Sequence, residues 1–374
     1  MTTHQGLQQF YHEKVSALTA EIAELKRHNT TFVLAELAAF VAMLACLVAY
    51  TLTSIGIGML FIVLAVVSFA VYYFIRQVDA GRNRKAEECE RLLTVYEGEL
   101  SYLNGDFSGF DAGEKYIAPQ HPFTFDMDIF GSQSLFNRIN RTVTTGGSDY
   151  LADALSQTEV PQTESIARRR EAIAELTERE SLRSTFLAQG RGQHINTSAI
   201  LEALREVREA DISPLALSQI SFAMATLSIT VFYALLIGAI FGSLPGSWPM
   251  IWLLLQVGAA YLLFSRTLKK VNSSINVILP RLGTYVGMIM LIVESGLESP
   301  EAREIIGRLS NGEQARPKVN ATKSFQQLKN ILNDLDQRNE VWVPISNALY
   351  LADYFIVRRF LKWQQQYMSC IEDW

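Results

Sequence analysis

The chain has 374 residues, of which 49% are hydrophobic and 19% charged, and its formal net charge is −5 at pH 7. A net negative charge excludes the broadly basic surface that general nucleic-acid binding requires, although local basic clusters remain open. The three cysteines lie far apart, with Cys46 inside an apolar run, and no pair has the spacing of metal ligands. These features favour a reduced protein that faces the cytoplasm.

The N-terminal segment predicts an amphipathic helix with a short stripe of coiled-coil type. Its apolar residues recur at alternating steps of four and three, at Tyr11, Val15, Leu18, Ile22 and Leu25. The stripe is about two heptads long, so it predicts a packing face and not a long rod.

The next segment, Leu37 to Ile75, contains no charged residue. Because one crossing of a bilayer needs about 20 apolar residues, this tract predicts a transmembrane hairpin with crossings near 32–52 and 56–75. Glu36 lies at the start of the first crossing. A carboxylate within the membrane can mark a transport path, but one turn inside the boundary this one can reach the headgroups instead.

A second amphipathic helix is predicted after this hairpin. Its apolar residues recur at three- or four-residue steps, at Cys89, Leu92, Tyr96, Leu100 and Leu103. We expect it to pack on the N-terminal helix as a short stalk, so that residues 1–104 form one segment. Residues 105–122 are rich in Gly, Asp and Ser and predict a linker.

A helical module is predicted over residues 123–211. Thr144 is the expected N-cap of a helix that continues to about Leu155, because its hydroxyl can accept from the free amides of the first turn. A further helix is expected near 198–208. The apolar face of the helices between them is predicted to comprise Ile166, Ile173, Leu176, Leu182 and Phe186.

Residues 212–265 form the longest uncharged tract, 54 residues without Asp, Glu, Lys, Arg or His. The tract predicts a second transmembrane hairpin, with crossings near 220–241 and 248–264. Gly238, Gly242 and Gly246 have the four-residue spacing that lets helices approach closely in lipid. Helix breaking at the membrane edge is the preferred interpretation of these glycines.

The charges that flank the two hairpins predict their orientation. Nine basic residues lie on one side if both hairpins cross and return, whereas the two short turns carry none. By the positive-inside rule, both termini and the helical module are cytoplasmic, and we expect an integral protein of the bacterial inner membrane. The nine are Lys26, Arg27, Arg76, Arg82, Arg84, Lys85, Arg266, Lys269 and Lys270.

Residues 266–374 again predict helices. The run Leu282 to Val293 is too short to cross a membrane and predicts a buried helix. Ser299 and Pro300 predict the start of a helix that ends near Leu309, before a loop over 311–320. Further helices are expected from the apolar positions Phe325, Leu328, Leu332 and Leu335, and from Trp342 to Trp363. The predicted fold class is therefore all-α, with four crossings in two hairpins and a cytoplasmic helical module.

Within this module, twelve positions form an ordered series of motif residues. They are Gly131, Ser134, Leu135, Arg141, Thr142, Thr144, Gly147, Ile166, Arg170, Ala172, Ile173 and Leu176. In order and spacing, this series resembles the helical core of the MutS family of DNA-repair ATPases. The resemblance spans residues 123–187, and the helices after residue 266 resemble, more loosely, the lever helices that lead to the MutS nucleotide domain. It implies DNA as a partner, and ATP and magnesium as cofactors of a nucleotide domain that would follow Trp374.

The chain departs from the family pattern in four places. It contains no GxxxxGK[ST] phosphate loop and no Phe-x-Glu triplet, which is the mismatch-reading motif of the family. The hairpin over 212–265 stands where the family has its DNA clamp. Thr145 stands where the family has a proline. We therefore expect no cofactor site in this chain, which would be the front part of a longer protein.

Arg168, Arg169 and Arg170 are the candidate contacts for DNA phosphates. Because acidic residues lie on the same helix, a solvated face of ion pairs is the preferred alternative. No catalytic residue is predicted, since no nucleophile elbow or paired-acid site occurs, and the five histidines have no metal-ligand spacing.

Two functions remain open from the sequence. The first is a membrane-anchored MutS-like core and lever module of an ATP-dependent, mismatch-repair-like protein. The alternative is a non-enzymatic membrane scaffold whose cytoplasmic helices bind a protein partner or self-associate, and in either case we expect a homodimer. Transport is disfavoured, because Glu36 is the one ionisable group offered by the predicted crossings.

Overall fold

A computed structural model describes most of the chain as helix. The described residues are 3–27, 29–53, 55–190, 195–200, 202, 217–311, 321–336 and 343–371. Among them no β-strand occurs, and the β-type pairing is an isolated parallel bridge between Thr144 and Ile195. The all-α fold class is confirmed.

The helices are labelled in chain order. They are α1 (Thr3–Arg27), α2 (Asn29–Leu52), α3 (Ile55–Leu103), α4 (Leu135–Ile139), α5 (Thr145–Ser156), α6 (Thr163–Glu178), α7 (Glu180–Gly190), α8 (Gln219–Ile240), α9 (Ser247–Val293), α10 (Pro300–Asn311), α11 (Ala321–Asp336), α12 (Val343–Tyr350) and α13 (Ala352–Ile371). They fall into two compact units. The first is Met1–Arg141 with Arg183–Arg191, and the second is Thr142–Leu182 with Gly192–Trp374.

Among the residues that the structure describes, three helical stretches are long and apolar enough to cross a membrane. These are His4–Leu52, Leu60–Leu103 and Gln219–Ile240. The predicted fourth crossing, near 248–264, lies in α9, where the apolar stretch among the described residues is Ser247–Ala260. The count of four crossings therefore stays a prediction.

In the first unit, α3 is one continuous helix of 49 residues. The predicted second crossing and the predicted stalk helix are both parts of it. α1 packs along its C-terminal half, with the rings of Tyr11 and Tyr96 6.0 Å apart and Lys85 2.7 Å from Glu21. This is the packing expected from the two apolar stripes.

The segment predicted as a linker has an irregular backbone with one 3₁₀ turn, Glu114–Tyr116. It nevertheless packs closely on the residues that follow it. The ring of Tyr116 lies 5.5 Å from those of Phe130 and Phe136, and Phe136 is fully buried. This aromatic cluster ties the segment to α4.

In the second unit, α8 and α9 form the second hairpin. α8 ends at Ile240, and Gly242 adopts a φ of 72°, a left-handed conformation in which glycine is unstrained. A Cβ on Gly238 would lie 2.8 Å from Cδ1 of Leu244 in the turn. Gly242 and Gly238 thus serve the turn, in line with the preferred interpretation.

α9 is 47 residues long and runs without a break from the second hairpin into the returning helices. Its last turns are buried, as expected, at Val286, Met288, Ile289 and Met290. α10 begins at Pro300 and α5 follows Thr144, which accepts from the N–H of Gly147 at 3.0 Å. Both predicted helix starts are therefore confirmed.

One sequence prediction is wrong, and one predicted apolar face is more exposed than a core face would be. The predicted single helix from Trp342 to Trp363 is broken into α12 and α13, because Leu351 between them adopts a φ of 51°. The predicted apolar face is only partly covered, since Ile166 and Ile173 of α6 are 50% and 59% exposed. Most of the expected helix near 198–208 and of the loop over 311–320 lies outside the described residues.

Candidate functional site

Arg141, one of the motif positions, makes a two-armed ion pair with Glu99 of α3. Its Nε lies 2.7 Å from Oε1 of Glu99, and its Nη2 lies 3.1 Å from Oε2. The guanidinium also stacks over the rings of Phe110 at 3.9 Å and Tyr102 at 4.6 Å. Such parallel hydrogen bonds fix orientation as well as energy, so Arg141 holds this part of the first unit on α3.

Ser134, another motif position, begins α4. Its hydroxyl accepts from the N–H of Asn137 at 3.2 Å, which satisfies one free amide of the first turn. The amide of Asn137 in turn donates to the carbonyl of Phe110 at 2.8 Å. The motif serine therefore orders the same segment as Arg141.

The motif threonines organise the start of α5 in the second unit. The hydroxyl of Thr142 lies 2.6 Å from that of Ser148, and Thr144 caps the helix. At the position where the family has proline, the backbone N–H of Thr145 donates to the carbonyl of Ile195 at 3.0 Å. A proline at this position would have no N–H and could not make this hydrogen bond.

The candidate phosphate contacts on α6 lie in different surroundings. Arg168 lies 3.4 Å from Glu301 of α10 and also pairs with Glu304, and Arg169 donates to the hydroxyl of Tyr150 at 2.9 Å. Arg170 is exposed, and no ion pair to it is found within the described parts of the chain. Arg168 and Arg169 therefore form contacts within the unit, and both Arg169 and Arg170 are exposed.

Glu175, near the end of α6, caps the start of α10. Its carboxylate accepts from the backbone N–H of Glu298 at 2.6 Å and from that of Ser299 at 3.0 Å. A negative charge at a helix N-terminus is favourable, because the first amides are free and the helix dipole is positive there. The hydrogen bond from Glu298, followed by those from Ser299, lowers the pKa of Glu175 below its ordinary value.

A polar junction lies inside the second hairpin. The buried amide of Gln256 accepts from the hydroxyl of Ser228 at 2.8 Å and donates to the carbonyl of Ala348 in α12 at 3.1 Å. The indole of Trp252 donates to the carbonyl of Ser228 at 3.1 Å. Gln256 therefore joins both arms of the hairpin to the C-terminal helices.

Arg358 of α13 makes the second contact with the hairpin. Its Nη1 donates to the carbonyl of Ser218 at 2.8 Å, and its guanidinium lies 5.1 Å from the ring centre of Phe222. Ser218 is the N-cap of α8. The buried guanidinium of Arg358 therefore lies at the N-terminus of this apolar helix.

Glu36 forms an ion pair across the first hairpin. Its carboxylate lies 3.3 Å from Arg76, which follows the predicted second crossing. Four residues before Glu36, the ring of Phe32 lies 5.0 Å from the guanidinium of Arg82. The ion pair with Arg76 supports a structural role for Glu36 and does not support a role in a transport path.

Sequence reasoning missed Glu99, Glu175 and Arg358, because their partners are distant in the chain. Gln256 could have been found, since it is the one amide side chain inside a predicted crossing. Within the described residues, no group of three potential metal ligands occurs. No protein-family model, curated protein or solved structure matches the chain.

Proposed function

We propose that the chain is a membrane-anchored MutS-like core and lever module of an ATP-dependent, mismatch-repair-like protein. In this proposal the helices of the module pass changes in nucleotide state between a nucleotide domain that follows Trp374 and the membrane hairpins. ATP and magnesium belong to that nucleotide domain, and DNA is the partner at the membrane surface.

The observation that carries the proposal is the agreement between motif and local role. Ser134 and Thr144 start helices, and Arg141 forms the two-armed ion pair with Glu99. A chance series of weak matches would not be expected to select the helix caps and the central arginine. Support for the anchor comes from the three long apolar helices and from the basic residues that flank them.

Hydrogen bonds and ion pairs connect the helices of the second unit, as the passing of a movement between them requires. Through Glu175 and Arg168, α6 is fastened to α10. Through Gln256 and Arg358, the second hairpin is fastened to α12 and α13. A displacement of α13 would therefore be passed to the second hairpin directly, through these hydrogen bonds.

Binding of DNA is tested on the whole protein in lipid nanodiscs, by fluorescence anisotropy of a labelled duplex over a series of salt concentrations. We expect binding that weakens as salt rises, and Arg170→Gln is expected to reduce the salt dependence by about one counterion. Lys329→Gln, an exposed cation on α11, is the charge-matched control. An equal effect of both variants, or no binding at low salt, would contradict the DNA part of the proposal.

The alternative is a membrane scaffold that self-associates or binds a protein partner. It is favoured by Ile166 and Ile173, which are exposed one heptad apart on α6. Mass measurement of the protein in detergent separates the two functions. A tight dimer that is broken by Ile173→Asp, together with no DNA binding, would favour the scaffold.

A further inference from the structure

The C-terminal helices contact the second hairpin well inside its uncharged tract. The amide of Gln256 reaches the carbonyl of Ala348, and the rings of Tyr233 and Tyr350 lie 5.9 Å apart. These contacts join α12 to both α8 and α9. They lie away from Ser218, the residue at which α8 begins.

The depth of these contacts follows from helix geometry. α8 has 22 residues, and at 1.5 Å per residue it is about 33 Å long, close to the roughly 30 Å hydrocarbon thickness of a bilayer. Ser228, which bonds to Gln256, is at the middle of α8. Tyr233 is about 21 Å from the start of α8 at the same rise per residue. If α8 crosses the membrane, α12 therefore reaches the middle of the bilayer.

Asn347 holds the turn between α12 and α13 through two hydrogen bonds. The side chain of Asn347 accepts from the N–H of Asp353 at 2.7 Å, and its carbonyl accepts from the N–H of Leu351 at 3.1 Å. A break in a helix is tolerated at membrane depth only where the backbone groups find such partners. At the left-handed Leu351 and at Asp353, the backbone N–H groups have such partners.

The return path ends at the membrane boundary. The ring of Phe355 lies 6.0 Å from that of Phe222, and Arg358 binds the carbonyl of Ser218. Between residues 343 and 357, Asp353 is the one charged residue, and it lies two residues from Phe355. Since Phe222 is about 5 Å from the start of α8, Asp353 lies near the same boundary, with its Oδ1 buried inside the protein.

We propose that α12 and the first two turns of α13 form a re-entrant elbow, which enters the bilayer beside the second hairpin and leaves on the side of Ser218. Its partner is the lipid hydrocarbon, which contacts the exposed side of Tyr350 at the tip. The inference rests on the membrane anchoring in the proposed function. It changes the place of residues 343–357, which the sequence assigned to the cytoplasmic helices.

The test measures the depth of single positions in lipid nanodiscs. A variant without Cys46, Cys89 and Cys370 receives one cysteine carrying an environment-sensitive fluorophore, at Tyr350→Cys or, independently, at the neighbouring Leu349→Cys. Leu227→Cys on α8 is the control for depth, and Val160→Cys, which is 89% exposed, is the control for water. Quenching is measured with mid-chain nitroxide lipid and with aqueous iodide.

The expected result is loss of fluorescence with the nitroxide lipid, and none with iodide, at positions 350, 349 and 227. If position 227 is shielded while both 349 and 350 are quenched by iodide or only by a headgroup nitroxide, the elbow is overturned and the anchoring stands. If position 227 itself is quenched by iodide, the anchoring by the second hairpin fails, and the elbow fails with it. Position 160 must respond to iodide alone in a folded protein.

Discussion

Arg141 and Glu99 are joined by two parallel hydrogen bonds, 2.7 Å and 3.1 Å long, across 42 positions of the chain. The side chains of Arg141 and Glu99 are 25% and 18% exposed, so both are largely shielded from solvent. α3 carries Glu99 and also the predicted second crossing. Arg141 is therefore joined to a helix that continues into the first predicted hairpin.

Replacement of Arg141 by lysine should loosen this part of the first unit. Lysine keeps the charge but loses the second hydrogen bond and the flat surface over Phe110, a loss of about 1.5–3 kcal/mol. Hydrogen exchange of residues 104–117 should accelerate at least about tenfold, which corresponds to 1.4 kcal/mol. Arg183→Lys, at an exposed position of α7, should leave exchange unchanged. Equal protection in both variants would contradict the role of the ion pair.

The carboxylate of Glu175 should make the start of α10 sensitive to pH. Its pKa is lowered in the folded protein by hydrogen bonds from Glu298 and Ser299. A lowered pKa stabilises the fold above the pKa of the unfolded carboxyl, about 4.3, and this stabilisation is lost as the pH falls through the folded pKa. Glu175→Gln should remove that loss.

The measurement is hydrogen exchange of the first turn of α10, corrected for intrinsic rates, between neutral pH and the acid limit of the native fold. The protection of the unaltered protein should fall with the pH, and that of Glu175→Gln should be lower at neutral pH and flatter. Glu178→Gln, an exposed neighbour on α6, is the control. A control that flattens the profile equally would assign the effect to general charge.

Prediction from sequence succeeded where the signal is local. The charge-free tracts and the three- and four-residue periods identified the long helices, and Thr144 was recognised as a cap from its residue type and position. Apart from the packing of α1 on α3, the contacts that join these helices were not predicted. Glu175 and Ser299 are 124 positions apart, and no local pattern encodes such a pair.

The exposed face of α6 and the break at Leu351 have different origins. The period of 3.6 residues placed Ile166 and Ile173 on one face of α6, but periodicity does not reveal whether another element covers that face. At the break, Leu351 has a φ of 51°, and the N–H of Asp353 donates to Oδ1 of Asn347. Leucine itself carries no signal for a left-handed backbone, so the break could not be predicted from residue type.

Thr145→Pro should destabilise α5, although proline is ordinarily favoured in the first turn of a helix. The substitution removes the N–H that donates to the carbonyl of Ile195, a residue that is 2% exposed. Leaving that carbonyl without its donor costs about 1–3 kcal/mol. Thr145→Ala, which keeps the N–H, isolates the contribution of the hydroxyl. The comparison uses hydrogen exchange of α5, and a proline variant as stable as the alanine variant would remove the role of the bridge.

Gly113 should tolerate no side chain, for two separable reasons. Its φ is 68°, and a Cβ would lie 2.6 Å from Cδ1 of the fully buried Phe136. Gly105 has a φ of 85° but open space around it, so Gly105→Ala measures the backbone cost alone, about 1–2 kcal/mol. Gly113→Ala should cost about 1–3 kcal/mol more, because overpacking displaces the ring. Limited proteolysis of residues 104–137 compares the two, and similar cleavage rates would place the clash in doubt.

Gln256→Leu should separate α12 from the second hairpin without unfolding the hairpin itself. Leucine fits an apolar surrounding, but it leaves the carbonyl of Ala348 and the hydroxyl of Ser228 without their partner, at about 1–3 kcal/mol for each group that finds no other. Hydrogen exchange of residues 347–353 in nanodiscs should therefore rise, while exchange in the middle of α8 stays slow. Gln219→Leu, at the exposed start of α8, supplies a matched loss of one amide and should change neither. If residues 347–353 remain protected in Gln256→Leu, ring contacts such as that between Tyr233 and Tyr350 hold α12 in place without the amide.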